Sequence, residues 1–239
     1  QAAFVHGNPG NNILPLVPEL QTVLDEPRVR GALESIMGEN YSMHPHRHCH
    51  LNKSGSDGQR LHKDAFSVRF HRIQEALVFY YPHDVTQDMG PTAVIPGSQY
   101  HGKQLDNEMP DELPVCGKAG TVTVAHYDLW HRGTPNRSSN DRYMVKFLFT
   151  RMSQPEEPSW DSDSIAREDF GDPRWKDLHS TIWDWHCGNQ FVPESEEYDP
   201  VPLLEQLGDI NESVRLRSAY RLGRMGKAIV PLLTDKLRS

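Results

Sequence analysis

The hydrophobic positions change period along the chain, and the changes mark its elements. Between Pro18 and Gly38 the apolar residues Leu20, Val23 and Leu24, then Val29, Leu33, Ile36 and Met37, recur at three- and four-residue intervals. That spacing gathers them on one helical face, and Pro27 interrupts it, so two short helices are predicted on the outside of a sheet. Ahead of them, residues 1–18 carry Gly7, Pro9, Gly10, Pro15 and Pro18 and read as an irregular leading segment. Tyr41–Leu51 then alternates. A strand there places His44, His46, His48 and His50 on one face, Arg47 and Cys49 on the other, and Pro45 marks it as an edge. The pattern leaves open which face looks inward. Four alternating imidazoles suggest a metal site, but a polar display that ligates nothing is the preferred reading.

Further strands are predicted at Glu75–Tyr81, rich in β-formers, at Thr92–Ile95, closed by Pro96-Gly97-Ser98, and at Gly120–Ala125, which alternates. Tyr143–Phe149 is an apolar run. Asn52–Arg60 is turn chemistry, and His83–Asp88 is a polar loop. His101–Lys118, broken by Pro110 and Pro114, reads as a long surface excursion and a place for substrate contacts. Gln154–Tyr198 is rich in Trp and Asp, with a helical stretch around Arg174–Trp185 that covers the sheet rather than forming an aromatic substrate wall.

Composition narrows the class. A chain of 239 residues holds one large domain, or one domain plus a small appendage. A formal net charge of −8 argues against general nucleic-acid binding, which needs a basic face. No apolar run is long enough for a membrane span, and no signal-peptide pattern is visible. The chain opens at Gln1 without Met, so a removed targeting segment stays open. Cys49, Cys116 and Cys187 form no C-x-x-C pair, which makes zinc-finger and thioredoxin-like readings poor and favours a reducing, cytoplasmic location.

The candidate chemistry sits on a few polar residues. His62 and Asp64 are two apart, so an extended chain points both to one side. If the fold returns His131 to them, two imidazoles and a carboxylate make the facial triad of non-haem Fe(II) oxygenases, with three positions left open. Arg142, at the start of the last apolar run, can pair bidentately with a carboxylate, and Arg132 and Arg137 compete for that role. His126 and Asp128 form a second H-x-D, in which Asp128 turns the chain or hydrogen-bonds an imidazole.

Taken together, His62-Lys63-Asp64, the G-x-x-x-x-I-P-G-S stretch from Gly90 to Ser98, the W-H-R-G-x-x-N segment from Trp130 to Asn136, and the following Arg142 carry a resemblance. From about Asn40 to Arg151 the sequence resembles the phytanoyl-CoA dioxygenase family of Fe(II)/2-oxoglutarate oxygenases. The resemblance implies a mainly β fold, a double-stranded β-helix (jelly roll) with flanking helices. It implies Fe(II) on His62, Asp64 and His131, with 2-oxoglutarate held at its distal carboxylate by Arg142. Phe79 falls near an aromatic that flanks 2-oxoglutarate in the family, and it reads equally well as plain core packing. O2 completes the set. The implied activity is a dioxygenase that hydroxylates, or otherwise oxidises, a small organic substrate with release of succinate and CO2. Related halogenases have a small residue at the position of Asp64, so the carboxylate favours oxidation over halogenation. Arg132, Gly133 and Asn136 follow His131 as they follow the ligand in the family, which prefers His131 over His126.

From Asp199-Pro200 the composition changes again. Leu203, Leu204 and Leu207, a polar turn, Val214-Arg215, then Ala219, Leu222 and Ile229-Val230-Pro231-Leu232 resemble a HEAT repeat. The expected division is a jelly-roll domain over 1–198 and a HEAT-like helical repeat over 199–239, the latter a possible surface for a protein partner. One repeat cannot bury both of its faces, so it docks on the first domain or is followed by others in a longer chain. Two rival functions stand beside the oxygenase: a metal-retaining jelly-roll interaction protein, and a cupin-like metalloenzyme that uses no 2-oxoglutarate. The substrate has no motif here.

Overall fold

A computed structural model of the chain describes residues 10–64, 71–102, 110–160, 172–189 and 198–238. Residues 1–9 of the leading segment, 103–109 of the excursion after His101, and 161–171 and 190–197 of the Trp-rich stretch lie outside the described residues. By packing, the chain forms two compact units, one of residues 1–100 and 109–153, the other of 101–108 and 154–239. The change of unit thus falls ahead of the composition change at Asp199.

The first unit is a jelly roll of two antiparallel sheets. The larger is ordered β1 (Tyr41–Asn52), β7 (Arg142–Arg151), β2 (Glu75–Tyr80), β5 (Val122–His126). The smaller is ordered β4 (Leu113–Pro114), β3 (Thr92–Val94), β6 (His131–Gly133). Alternation in the strands sorts side chains between two cores. Val78 of β2 and Val145, Phe147 and Phe149 of β7 face outward, where they pack with Leu24, Val29 and Leu33. Those three come from helices α2 (Leu20–Leu24) and α3 (Pro27–Met37). Pro27 opens α3 at the position where a helix does not need the missing N–H. The intervening residues Leu77 and Phe79 of β2 and Met144 and Leu148 of β7 face inward and pack with Tyr81 and Val85.

The leading segment is not wholly irregular. A 3-10 turn at Gly10–Asn12 runs into a short helix α1 (Ile13–Leu16), and Ile13 is buried in the outer core. Pro15 is compatible with this because the N–H groups of a first helical turn have no intrahelical partner.

β1 is the outermost strand of its sheet, and its pairing with β7 shifts register between Met43 and Arg47. Pro45 sits in this break. The N–H of His46 donates to Nδ1 of His44 (3.1 Å), and the N–H of Arg47 donates to Oδ1 of Asn11 (3.2 Å). Beyond the break Asn52 lies opposite Arg142, His50 opposite Met144, and His48 opposite Lys146. His48 and His50 therefore look inward, whereas His44 and His46, at the break, are exposed, and Cys49 packs against the outer core.

The second unit is helical: α4 (Lys176–His186), α5 (Pro200–Gln206), α6 (Glu212–Arg224) and α7 (Val230–Arg238). Asp199 caps α5 by accepting from the N–H of Val201, and Asn211 caps α6 by accepting from that of Ser213. Leu203, Leu222 and Ile229 form its apolar centre. Two ion pairs join α4 to α6: Asp177 with Arg221 and Asp184 with Arg224, each 3.0 Å. His101 hydrogen-bonds Ser213 (2.9 Å), and its ring meets the edge of Trp175. Among the described residues, no helix is long and apolar enough to cross a membrane.

Candidate active site

His62 and His131 are far apart in sequence but directly opposed in the fold. They form an antiparallel bridge in which each N–H donates to the other's carbonyl, at 3.0 and 2.9 Å. The two rings therefore leave neighbouring backbone positions on the same side, with centroids 4.6 Å apart. Asp64 completes the group. Its Oδ1 lies 3.8 Å from Nε2 of His62, and its Oδ2 lies 3.8 Å from Nε2 of His131. One ligand atom from each of the three residues can be chosen so that all lie within 4.8 Å of one another.

The tautomers suit a metal. Nδ1 of His62 faces the carbonyl of Arg60 at 2.8 Å, and Nδ1 of His131 faces that of Leu129 at 2.9 Å. A carbonyl only accepts, so each Nδ1 carries the proton and each Nε2 presents its lone pair towards Asp64. Burial lowers the pKa of His131, against the opposing effects of the Leu129 carbonyl and Asp64, which keeps the ring neutral. Asp64 goes the other way. Burial raises its pKa, but the Lys146 ammonium and its hydrogen bond, then His131 and His62, outweigh that and hold the carboxyl below its ordinary range.

Arg142 lines the same pocket and is 3% exposed. Its Nε and Nη2 donate to the carbonyl of Gly90, at 3.1 and 2.8 Å. Its Nη1 is buried without a hydrogen-bond partner. An orphaned guanidinium donor in a pocket is expensive unless an anion comes to it. The competing arginines are engaged elsewhere: Arg132 with Glu112 at 2.9 Å, and Arg137 with Asp57 at 3.3 Å, near the surface. Phe79 lines the pocket with its ring 6.3 Å from that of His131. The second H-x-D folds on itself, with the N–H of Asp128 donating to Nδ1 of His126.

Several pocket residues escape a sequence reading. Lys146 is 5% exposed and donates to Oδ2 of Asp64 at 2.7 Å. A signal existed: Lys146 shares the strand face of Arg142 and Met144 and is the one charged residue inside an apolar run. Gln59 accepts from the N–H of Gly133 at 3.0 Å, and Asn52 donates to the carbonyls of Gly90 and Thr134, both at 2.9 Å. These depend on tertiary contacts, and no local pattern announces them.

Gly90 anchors both Asn52 and Arg142, and its φ is +68°. A Cβ there would collide with the Asn52 amide, the Thr134 carbonyl and the Asn136 N–H. Gly97 has a similar φ, +77°, but open space where its Cβ would be. Gly97→Ala is therefore expected to cost only the left-handed backbone penalty, about 1–2 kcal/mol. Gly90→Ala should cost clearly more, because the collision adds to that penalty. Denaturant midpoints of the two variants check this, and equal losses would mean that the Gly90 surroundings yield.

Comparison with known proteins gives the family of the chain. Residues 11–144 match the family described as phytanoyl-CoA dioxygenase (PhyH). Uncharacterized proteins of Mycobacterium tuberculosis (Rv1501) and Mycobacterium bovis (Mb1539) are each 27% identical over 142 residues, covering 56% of this chain and 52% of theirs. The chain thus spans about half the length of the curated relatives it matches. Among solved structures, the epimerase SnoN in complex with Fe3+, alpha ketoglutarate and nogalamycin RO is 18% identical (TM-score 0.49, 59% of this chain and 61% of that one). The ThoJ–Ni non-heme monooxygenase is 16% identical (TM-score 0.45, 86% and 72%). The family match runs through His62, Asp64, His131 and Arg142, the residues that meet in the pocket, and the chain belongs to the phytanoyl-CoA dioxygenase family.

Proposed function

We propose that the protein is an Fe(II)- and 2-oxoglutarate-dependent oxygenase that hydroxylates, or otherwise oxidises, a small organic substrate. The observation that carries this is a convergence in one pocket: two imidazoles with Nε2 presented, one carboxylate, and a buried guanidinium with a free donor. His62, Asp64 and His131 would hold the metal and leave three positions open, enough for a chelating keto acid and O2. Bound there, iron with 2-oxoglutarate and O2 supplies an oxidant able to take hydrogen from an unactivated carbon, with succinate and CO2 as coproducts.

The chain's own contributions are positional. The backbone bridge between His62 and His131 fixes both rings on one side before any metal arrives. The Arg60 and Leu129 carbonyls fix their tautomers. Arg142 offers its remaining donor to the distal carboxylate of 2-oxoglutarate, and its hold on Gly90 keeps the fork from swinging. Phe79 supplies an apolar wall beside His131 that excludes water.

Anaerobic titration with Fe(II) and then 2-oxoglutarate tests the proposal. A visible metal-to-ligand charge-transfer band is expected, and it should be lost in His131→Ala. Iron binding without a band points to a metalloenzyme of another kind. Folded protein that binds no iron would sink the oxygenase reading.

A further inference from the structure

The inner face of β1 and β7 carries more positive charge than the proposed chemistry uses. The charged residues lining the pocket are Asp64, Arg142 and Lys146, a formal balance of one positive charge. A metal dication and the 2-oxoglutarate dianion cancel each other, so that charge remains for the third component. Arg142 and Lys146 are four residues apart on one strand, about 14 Å at about 3.4 Å per residue. They therefore serve opposite ends of the pocket, and Lys146 serves the end at Asp64.

The hydrogen-bond count points the same way. A buried ammonium has three donors. Lys146 gives one to Asp64, and no other hydrogen bond to it is found among the described residues. That one acceptor is a carboxylate that a metal would also claim, which leaves the ammonium undercompensated. Across the strand pair, Nδ1 of His48 and Nε2 of His50 are buried without hydrogen-bond partners. His48 lies opposite Lys146, and His50 lies two pairs further towards Arg142, on the same face. Burial, followed by the charge of Lys146, pushes the His50 pKa down to about 3, so its ring is neutral and can still donate one N–H. The wall is rich in donors, and its acidic residue is already claimed.

We propose that Lys146, with His48 and His50, forms a subsite for an oxyanion of the organic substrate: a carboxylate, or a phosphate or sulfate ester. This rests on the oxygenase reading for the word substrate, but not for the anion site itself. It gives His48 and His50, two of the four alternating histidines of β1, a role in recognition without metal ligation.

Thermal melting of the full chain with saturating 2-oxoglutarate, titrated with acetate, inorganic phosphate or sulfate against chloride and acetamide at matched ionic strength, tests it. The expected result is a saturable rise in Tm with at least one oxyanion and with neither control. Half-saturation should weaken at least tenfold in Lys146→Met and several-fold in His50→Leu. Lys146→Arg, which keeps the charge, should largely retain the response and guards against a folding artefact. The same response in Lys146→Met as in the unaltered protein would overturn the proposal. So would an oxyanion effect no larger than that of chloride, or one lost in Arg142→Leu but kept in Lys146→Met. The melting is run with and without Fe(II). Absence of the charge-transfer band would defeat the oxygenase reading, while the metal-free titration still decides the anion site.

Discussion

Asp64→Ala is expected to weaken binding of a divalent metal by at least about 100-fold, because loss of a supporting group around a metal already costs about 10–100-fold and Asp64 would be a ligand itself. Calorimetric titration with Mn(II) or Co(II) measures this without turnover. The variant should also lose stability. Lys146 is buried, and its one hydrogen bond found among the described residues goes to Asp64. Stripping one member from a buried pair costs about 3–5 kcal/mol, and the partial exposure of Asp64 favours the lower end. Asp64→Ala combined with Lys146→Met should recover much of that stability while metal binding stays lost. The double variant thereby separates the two roles of one carboxylate. Metal affinity of Asp64→Ala within threefold of the unaltered protein would remove Asp64 from the ligand set.

The second large effect is expected at Arg142. Arg142→Leu should raise the 2-oxoglutarate concentration for half-maximal charge-transfer absorbance by roughly 30-fold or more. That corresponds to the lower end of the roughly 2–5 kcal/mol lost when one partner of a buried charge pair is truncated. Arg142→Lys keeps the charge but not the planar fork that grips Gly90, and should fall between. Arg132→Ala and Arg137→Ala should stay within about twofold, since each arginine is paired with an acid away from the pocket. A large effect at Arg132 or Arg137, with none at Arg142, would reassign the anchor.

What the sequence made legible follows from the range of the interactions concerned. The helices at Leu20–Met37 and the strand at Glu75–Tyr80 declare themselves because their apolar residues repeat with a local period. The convergence of His62, Asp64 and His131 was expected from the ordered motifs, and the structure brings all three together. The face of β1 that looks inward was open, because alternation gives two faces and no sign. It took the register with β7, His48 opposite Lys146 and Asn52 opposite Arg142, to choose between them. Lys146 was hidden for a related reason: a lysine in an apolar strand reads as an exception until its carboxylate partner arrives from another part of the chain. The short helix at Ile13–Leu16 was masked by Pro15, which breaks a helix interior but not a first turn. Gln59, Asn52 and Gly90 act through backbone groups of distant loops, for which residue type alone carries no signal.

The register break in β1 bears on self-association. The border of a sheet is a template on which a second chain can add strands, the route to fibres and swapped dimers. At the break, Pro45 has no N–H to offer, that of His46 is taken by the His44 ring, and that of Arg47 by Asn11 from the opening turn. Three consecutive positions thus present no donor to an incoming chain, midway along a strand that runs from Tyr41 to Asn52. The irregularity therefore interrupts the stretch of backbone on which another molecule could polymerise.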